Sequence, residues 1–121
     1  MTKILVIDNE VNIRKLAKAN LTASGYKVLV APDGEEGLRL AQLEHPDLIL
    51  LDLRMPGMSG WDVLMALRTN RSLRRTPVII MTATAPEAVE YQARAMRTAG
   101  YVIKPFSADE LLNTVRQVLG E

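Results

Sequence analysis

Apolar residues gather along this chain in five short runs: Ile4 to Ile7, Val28 to Val30, Leu48 to Leu51, Val78 to Met81 and Tyr101 to Ile103. Each is too short for a buried helix and is bounded by polar or turn-forming residues, so each reads as a strand. Between them, apolar positions recur at helical spacing over Val11 to Ala23, Gly34 to Leu43, Gly60 to Leu67, Glu87 to Met96 and Ala108 to Leu119. Boundary residues agree: Asp33-Gly34 and Ser107 suit helix starts, while Gly25 and Gly120 follow helix ends. The strands are almost continuously apolar instead of alternating, as strands are when both faces of a parallel sheet are covered. Strand and helix alternating in this way predict a doubly wound α/β architecture, with helices on both faces of a five-stranded parallel sheet.

A length of 121 residues predicts one domain over 1–121. With 48% hydrophobic and 24% charged residues, the chain has enough apolar surface for a single core and is not a disordered sequence. The net charge of +1 gives no electrostatic case for direct nucleic-acid binding. Arg68, Arg71, Arg74 and Arg75 cluster locally and read as a solvated helix end and loop. The absence of cysteine excludes disulfides, thiolate nucleophiles and zinc–thiolate sites, so the cytoplasm is the expected compartment. His45, the single histidine, stands before Pro46 and reads as a surface residue. Residues 3–7, the one apolar stretch near the amino terminus, fall far short of a signal peptide or a membrane span, and no membrane association is expected.

Ligands of open α/β sheets collect outside the carboxyl ends of the strands, so the residues directly after each run carry the most information. The first run leads into Asp8-Asn9-Glu10, the third into Asp52, the fourth into Thr82 and the fifth into Lys104-Pro105. Each has a plain structural reading. Asp8 or Asn9 suits a helix cap, Asp52 a turn before Met55-Pro56-Gly57, Thr82 a strand end and Lys104 a solvated surface. Their convergence on one rim is what argues for a shared site. Two carboxylates on neighbouring strands repel unless a cation lies between them, and Mg²⁺ suits such oxygen ligands together with a phosphoryl group. Lys104 then supplies a point charge and Thr82 a hydroxyl donor to the phosphoryl oxygens. A carboxylate is the remaining candidate nucleophile, and its central position favours Asp52, leaving Asp8 as the metal ligand. Glu10 reads as a favourable charge in the first turn of the following helix, outside the pocket.

These stretches together resemble the receiver domains of bacterial response regulators. The resemblance runs through Lys3-Ile4-Leu5-Val6-Ile7-Asp8-Asn9-Glu10, Asn12 to Leu16, Asp52-Leu53-Arg54-Met55-Pro56-Gly57-Met58-Ser59-Gly60, Thr82-Ala83 and Tyr101-Val102-Ile103-Lys104-Pro105-Phe106, in family order. It implies a flavodoxin-like sheet of order 2-1-3-4-5 and a cis bond before Pro105. It implies a phosphoacceptor signalling switch in a two-component system or phosphorelay, not an enzyme, although such a domain promotes its own phosphorylation and dephosphorylation. Asp52 would take phosphate from a phosphohistidine on a histidine kinase or phosphotransfer protein, with Mg²⁺ held by Asp8, Asp52 and the Arg54 backbone carbonyl. Thr82 and Tyr101 would act as the switch, altering the face around the fourth helix, last strand and last helix. That face would control a downstream protein or fused output domain, and a phosphorylation-dependent homodimer is among the assemblies the resemblance allows. Asn9 departs from the family's second acidic residue; its amide can still ligate, but weaker Mg²⁺ binding is expected. Arg97 departs from a usual glycine.

Three other readings fit less well. A haloacid-dehalogenase-like phosphatase would need a second Asp two residues after its nucleophile, and Asp8 and Asp52 each lack one. A flavodoxin-like or nucleotide-binding module needs a phosphate loop that Asp8-Asn9-Glu10 would repel, and no G-x-x-x-x-G-K or G-x-G-x-x-G pattern stands after a strand. A pseudo-receiver that is never phosphorylated is the remaining alternative, favoured only by Asn9.

Overall fold

A computed structural model of the chain describes residues 1–83, 94 and 97–121. The strands are β1 (Lys3–Ile7), β2 (Lys27–Ala31), β3 (Leu48–Asp52), β4 (Val78–Thr82) and β5 (Gly100–Ile103). They form one parallel sheet in the order β2-β1-β3-β4-β5. Four helices lie among the described residues: α1 (Val11–Ala23), α2 (Gly34–Glu44), α3 (Gly60–Thr69) and α4 (Ala108–Leu119). The helix expected over Glu87 to Met96 lies outside the described residues. The architecture, strand order and Lys104-Pro105 cis bond are as the sequence and the resemblance predict.

Strand side chains alternate between faces, which divides the core into two layers. Ile4, Val6, Leu48, Leu50, Ile79 and Met81 face α1 and α4, meeting Ala17, Leu21, Leu111 and Val115. Leu5, Ile7, Ile49, Leu51 and Val78 face α2 and α3, meeting Ala41, Val63, Leu64 and Leu67. Every residue of β3 and β4 is buried, so the centre of the sheet is covered on both faces.

Local chemistry sets the helix starts. The Asp33 carboxylate accepts the Glu36 N–H at 2.8 Å to open α2, and the Ser107 hydroxyl accepts the Glu110 N–H at 3.1 Å to open α4. Ser59 opens α3 through a reciprocal capping box with Asp62. Gly60 then lies against the end of β3, where an added Cβ would stand 2.2 Å from the Asp52 carbonyl oxygen. The start of α1 differs from expectation. Neither Asp8 nor Asn9 caps it; the cap position is Glu10, which makes no side-chain capping bond. Asp8 Oδ1 instead accepts the Glu10 N–H at 2.8 Å, folding the loop over the end of β1.

The arginine cluster also differs from a merely solvated surface. Arg68, half-buried, donates to the carbonyl oxygens of Thr76 at 3.0 Å and of Arg74 and Arg97 at 3.2 Å, tying the end of α3 to the entries of β4 and β5. Burial and the neighbouring Arg97 charge lower its affinity for a proton. Arg97 itself adopts a left-handed φ of 58°, the conformation that glycine accepts without strain. It thus takes up a backbone conformation suited to glycine despite carrying a side chain.

Candidate functional site

Asp8 follows β1 directly, Asp52 and Thr82 complete β3 and β4, and Lys104 follows β5 directly, so the sheet order brings all four to one carboxyl rim. Asp8, Asp52 and Thr82 are buried, at 0%, 4% and 2% exposure. Lys104 joins them from the side: its Nζ is 2.8 Å from Asp8 Oδ2, 3.1 Å from Glu10 Oε1 and 3.4 Å from Asp52 Oδ1. The Lys104 N–H donates to the Thr82 carbonyl at 2.7 Å, which fixes where the lysine stem begins. The Arg54 N–H donates to Asp52 Oδ1 at 3.2 Å, and Arg14 Nη1 to the Asp8 carbonyl at 2.7 Å.

The electrostatics come from burial and crowding. Removal from water, then the Asp8 charge, pushes the Asp52 carboxyl up to about 6, while Lys104 and the Arg54 N–H pull it down. Burial opposes the Lys104 charge, but Asp8, Asp52 and Glu10 outweigh it and hold the ammonium above the ordinary lysine value. Among the described residues, three carboxylates thus crowd around one ammonium.

Carboxylate oxygens of Asp8, Glu10 and Asp52 lie within 4.8 Å of one another, close enough to share one cation. Among the described residues, Asp8 Oδ2 is fully buried and accepts no hydrogen bond of good geometry, with the Lys104 ammonium 2.8 Å away. A buried carboxylate oxygen in that condition lacks the ligands it would have in water, and a divalent cation satisfies it. The donor set therefore fits Mg²⁺. Glu10 is the member that sequence reasoning missed. Its φ of −91° and ψ of 117° are extended, so it precedes the first turn of α1 rather than belonging to it. Asn9 is exposed, and Tyr101 is 40% exposed on β5.

A doubly wound sheet with an acidic pocket and one lysine at its carboxyl rim defines a class of small signalling domain. Comparison with known proteins makes that class specific. Residues 4–116 match the model of the response regulator receiver domain. The polar-differentiation response regulator DivK of Brucella ovis is 39% identical over 123 residues, covering 100% of this chain and 99% of DivK. The probable transcriptional regulator ycf27 of Cyanophora paradoxa is 40% identical over 97% of this chain but only 48% of its own length. The chain thus spans about half of ycf27 and nearly all of DivK. Among solved structures, chemotaxis protein CheY4 of Vibrio cholerae superposes with a TM-score of 0.91 at 34% identity, over 98% of both chains. The chain belongs to the response regulator receiver family of two-component signalling. Receiver domains are signalling domains rather than enzymes, and they commonly use Mg²⁺ at such a pocket. No helix among the described residues is long and apolar enough to cross a membrane.

Proposed function

We propose that Asp52 is the phosphoryl acceptor of a single receiver domain formed by residues 1–121. The observation that carries this reading is the convergence of Asp8, Asp52 and Lys104 within 3.4 Å at the rim, with Thr82 buried on the adjoining strand. An Asp52 carboxylate oxygen attacks the phosphorus of a partner's phosphohistidine. The oxygen–phosphorus bond forms, the nitrogen–phosphorus bond breaks, and the imidazole nitrogen leaves with the electron pair and takes up a proton. Ionisation of Asp52 is a condition of the attack, and its value of about 6 leaves it charged near pH 7. Lys104 then neutralises one phosphoryl oxygen and the Thr82 hydroxyl donates to another. Mg²⁺ bound by Asp8, Asp52 and the Arg54 carbonyl would offset the charge that gathers in the pocket.

The new contacts of Thr82 and Lys104 bias a two-state equilibrium in which Tyr101 changes its exposure and the surrounding face changes affinity for its target. That target is a downstream protein or a fused output domain, the latter supported by relatives twice as long as this chain. The donor is a histidine kinase or phosphotransfer protein, and the site of action is the cytoplasm. Neither the family match nor the pocket supports the pseudo-receiver alternative.

Incubation with acetyl phosphate and Mg²⁺, followed by intact mass measurement, tests the assignment. Wild type gains one phosphoryl group, and Asp52→Asn gains none. Undiminished labelling of Asp52→Asn would defeat the reading.

A further inference from the structure

We propose that Glu10 supplies the loop charge that Asn9 lacks, turning from Lys104 to the cation when Mg²⁺ enters the pocket. This rests on the metal-binding reading of the site and deepens it. Asn9 removes one negative charge from the loop, yet three carboxylates among the described residues are within reach of one ion, because Glu10 stands with Asp8 and Asp52 inside 4.8 Å. Two further observations point to a ligand there. Among the described residues, Asp8 Oδ2, fully buried, accepts no well-aligned hydrogen bond, and it meets the same Lys104 ammonium as Glu10. Lys104 already acts as the resident cation, with its Nζ 2.8 Å from Asp8 and 3.1 Å from Glu10.

The three carboxylates differ in freedom. Asp8 is clamped at both ends, its Oδ1 by the Glu10 N–H and its carbonyl by Arg14, and Asp52 is held by the Arg54 N–H. The Glu10 side chain is 57% exposed and carried by an extended loop residue, so it can swing without moving a strand. A divalent ion attracts it more strongly than one ammonium does. Each carboxylate that leaves Lys104 for the ion also frees Lys104 for a phosphoryl oxygen. Glu10 is therefore a metal-directed charge in this chain, directly or through a metal-bound water.

The test is Mg²⁺ affinity by isothermal calorimetry near pH 7.5, on wild type, Glu10→Gln, Asn9→Asp, the double variant and Asp52→Asn. Glu10→Gln is expected to weaken Mg²⁺ binding by about tenfold, as loss of one charge near the ion requires. Asn9→Asp is expected to tighten it and to shrink the effect of Glu10→Gln to about threefold or less, because the two positions supply the same charge. Glu10→Gln binding within about twofold of wild type, while Asp52→Asn loses tenfold or more, would overturn the role of Glu10 and leave the pocket assignment standing. Unchanged affinity in Asp52→Asn would instead overturn the pocket assignment, and this inference with it.

Discussion

Near neutral pH the Asp52 side chain is an ionised carboxylate held where a neutral group would be more stable. Its folded-state value of about 6 lies above the ordinary 3.8, so between those values the folded protein binds more protons than the unfolded chain. Folding stability of the metal-free protein from this group is therefore fully present below pH 4 and lost as pH rises through 6. Asp52→Asn removes the dependence. The variant is expected to be more stable than wild type by about 1–3 kcal/mol at pH 7.5, with the advantage fading by pH 4.5. Urea unfolding in EDTA at several pH values measures this, and an advantage that grows toward acid would contradict it. The buried Asp8 and Asp52 need a cation for the same reason, and Lys104 meets part of that need without divalent ions.

At the scale of elements, Gly60 links the start of α3 to the end of β3. Its N–H donates to the Leu53 carbonyl at 2.9 Å, and a Cβ there would stand 2.2 Å from the Asp52 carbonyl oxygen, a backbone atom that cannot rotate away. Gly60→Ala is expected to destabilise the domain by about 3 kcal/mol and to slow acetyl-phosphate labelling, since relief of the clash moves Asp52. Denaturant unfolding with labelling kinetics checks both. The elements themselves were legible because continuous apolar runs and helical spacing are local signals; the strands gained at most a residue or two at their ends. Asp8, Asp52, Thr82 and Lys104 were legible as strand-end residues. Glu10 was not, because one residue of register decides whether it sits in a helix turn or projects over the rim. The three carbonyls gathered by Arg68 were hidden for a related reason, since they come from stretches separated in sequence.

For the whole molecule, the decisive feature is one sheet shared by two apolar layers. Opening the layer under α1 and α4 bares residues of β1, β3 and β4 whose neighbours line the other layer. The domain is expected to unfold in one transition, with an m value of about 1–3 kcal/mol/M in urea. Trp61, the single tryptophan, packs against the α2–α3 layer, so its fluorescence reports one layer while far-ultraviolet circular dichroism reports helices of both. Coincident midpoints are expected; separated midpoints would show two independently melting halves. The sheet also fixes the gauge of the pocket. Asp8, Asp52 and Thr82 stand at the ends of neighbouring strands, spaced by strand separation of about 4.8 Å in any such sheet, and an exchange of an exposed loop side chain leaves that spacing unchanged. Glu10 stands outside this constraint, on a loop whose side chain can be exchanged without repacking a strand. Under the proposed role of Glu10, one loop side chain then sets magnesium affinity while the strand-end spacing at the rim is left alone.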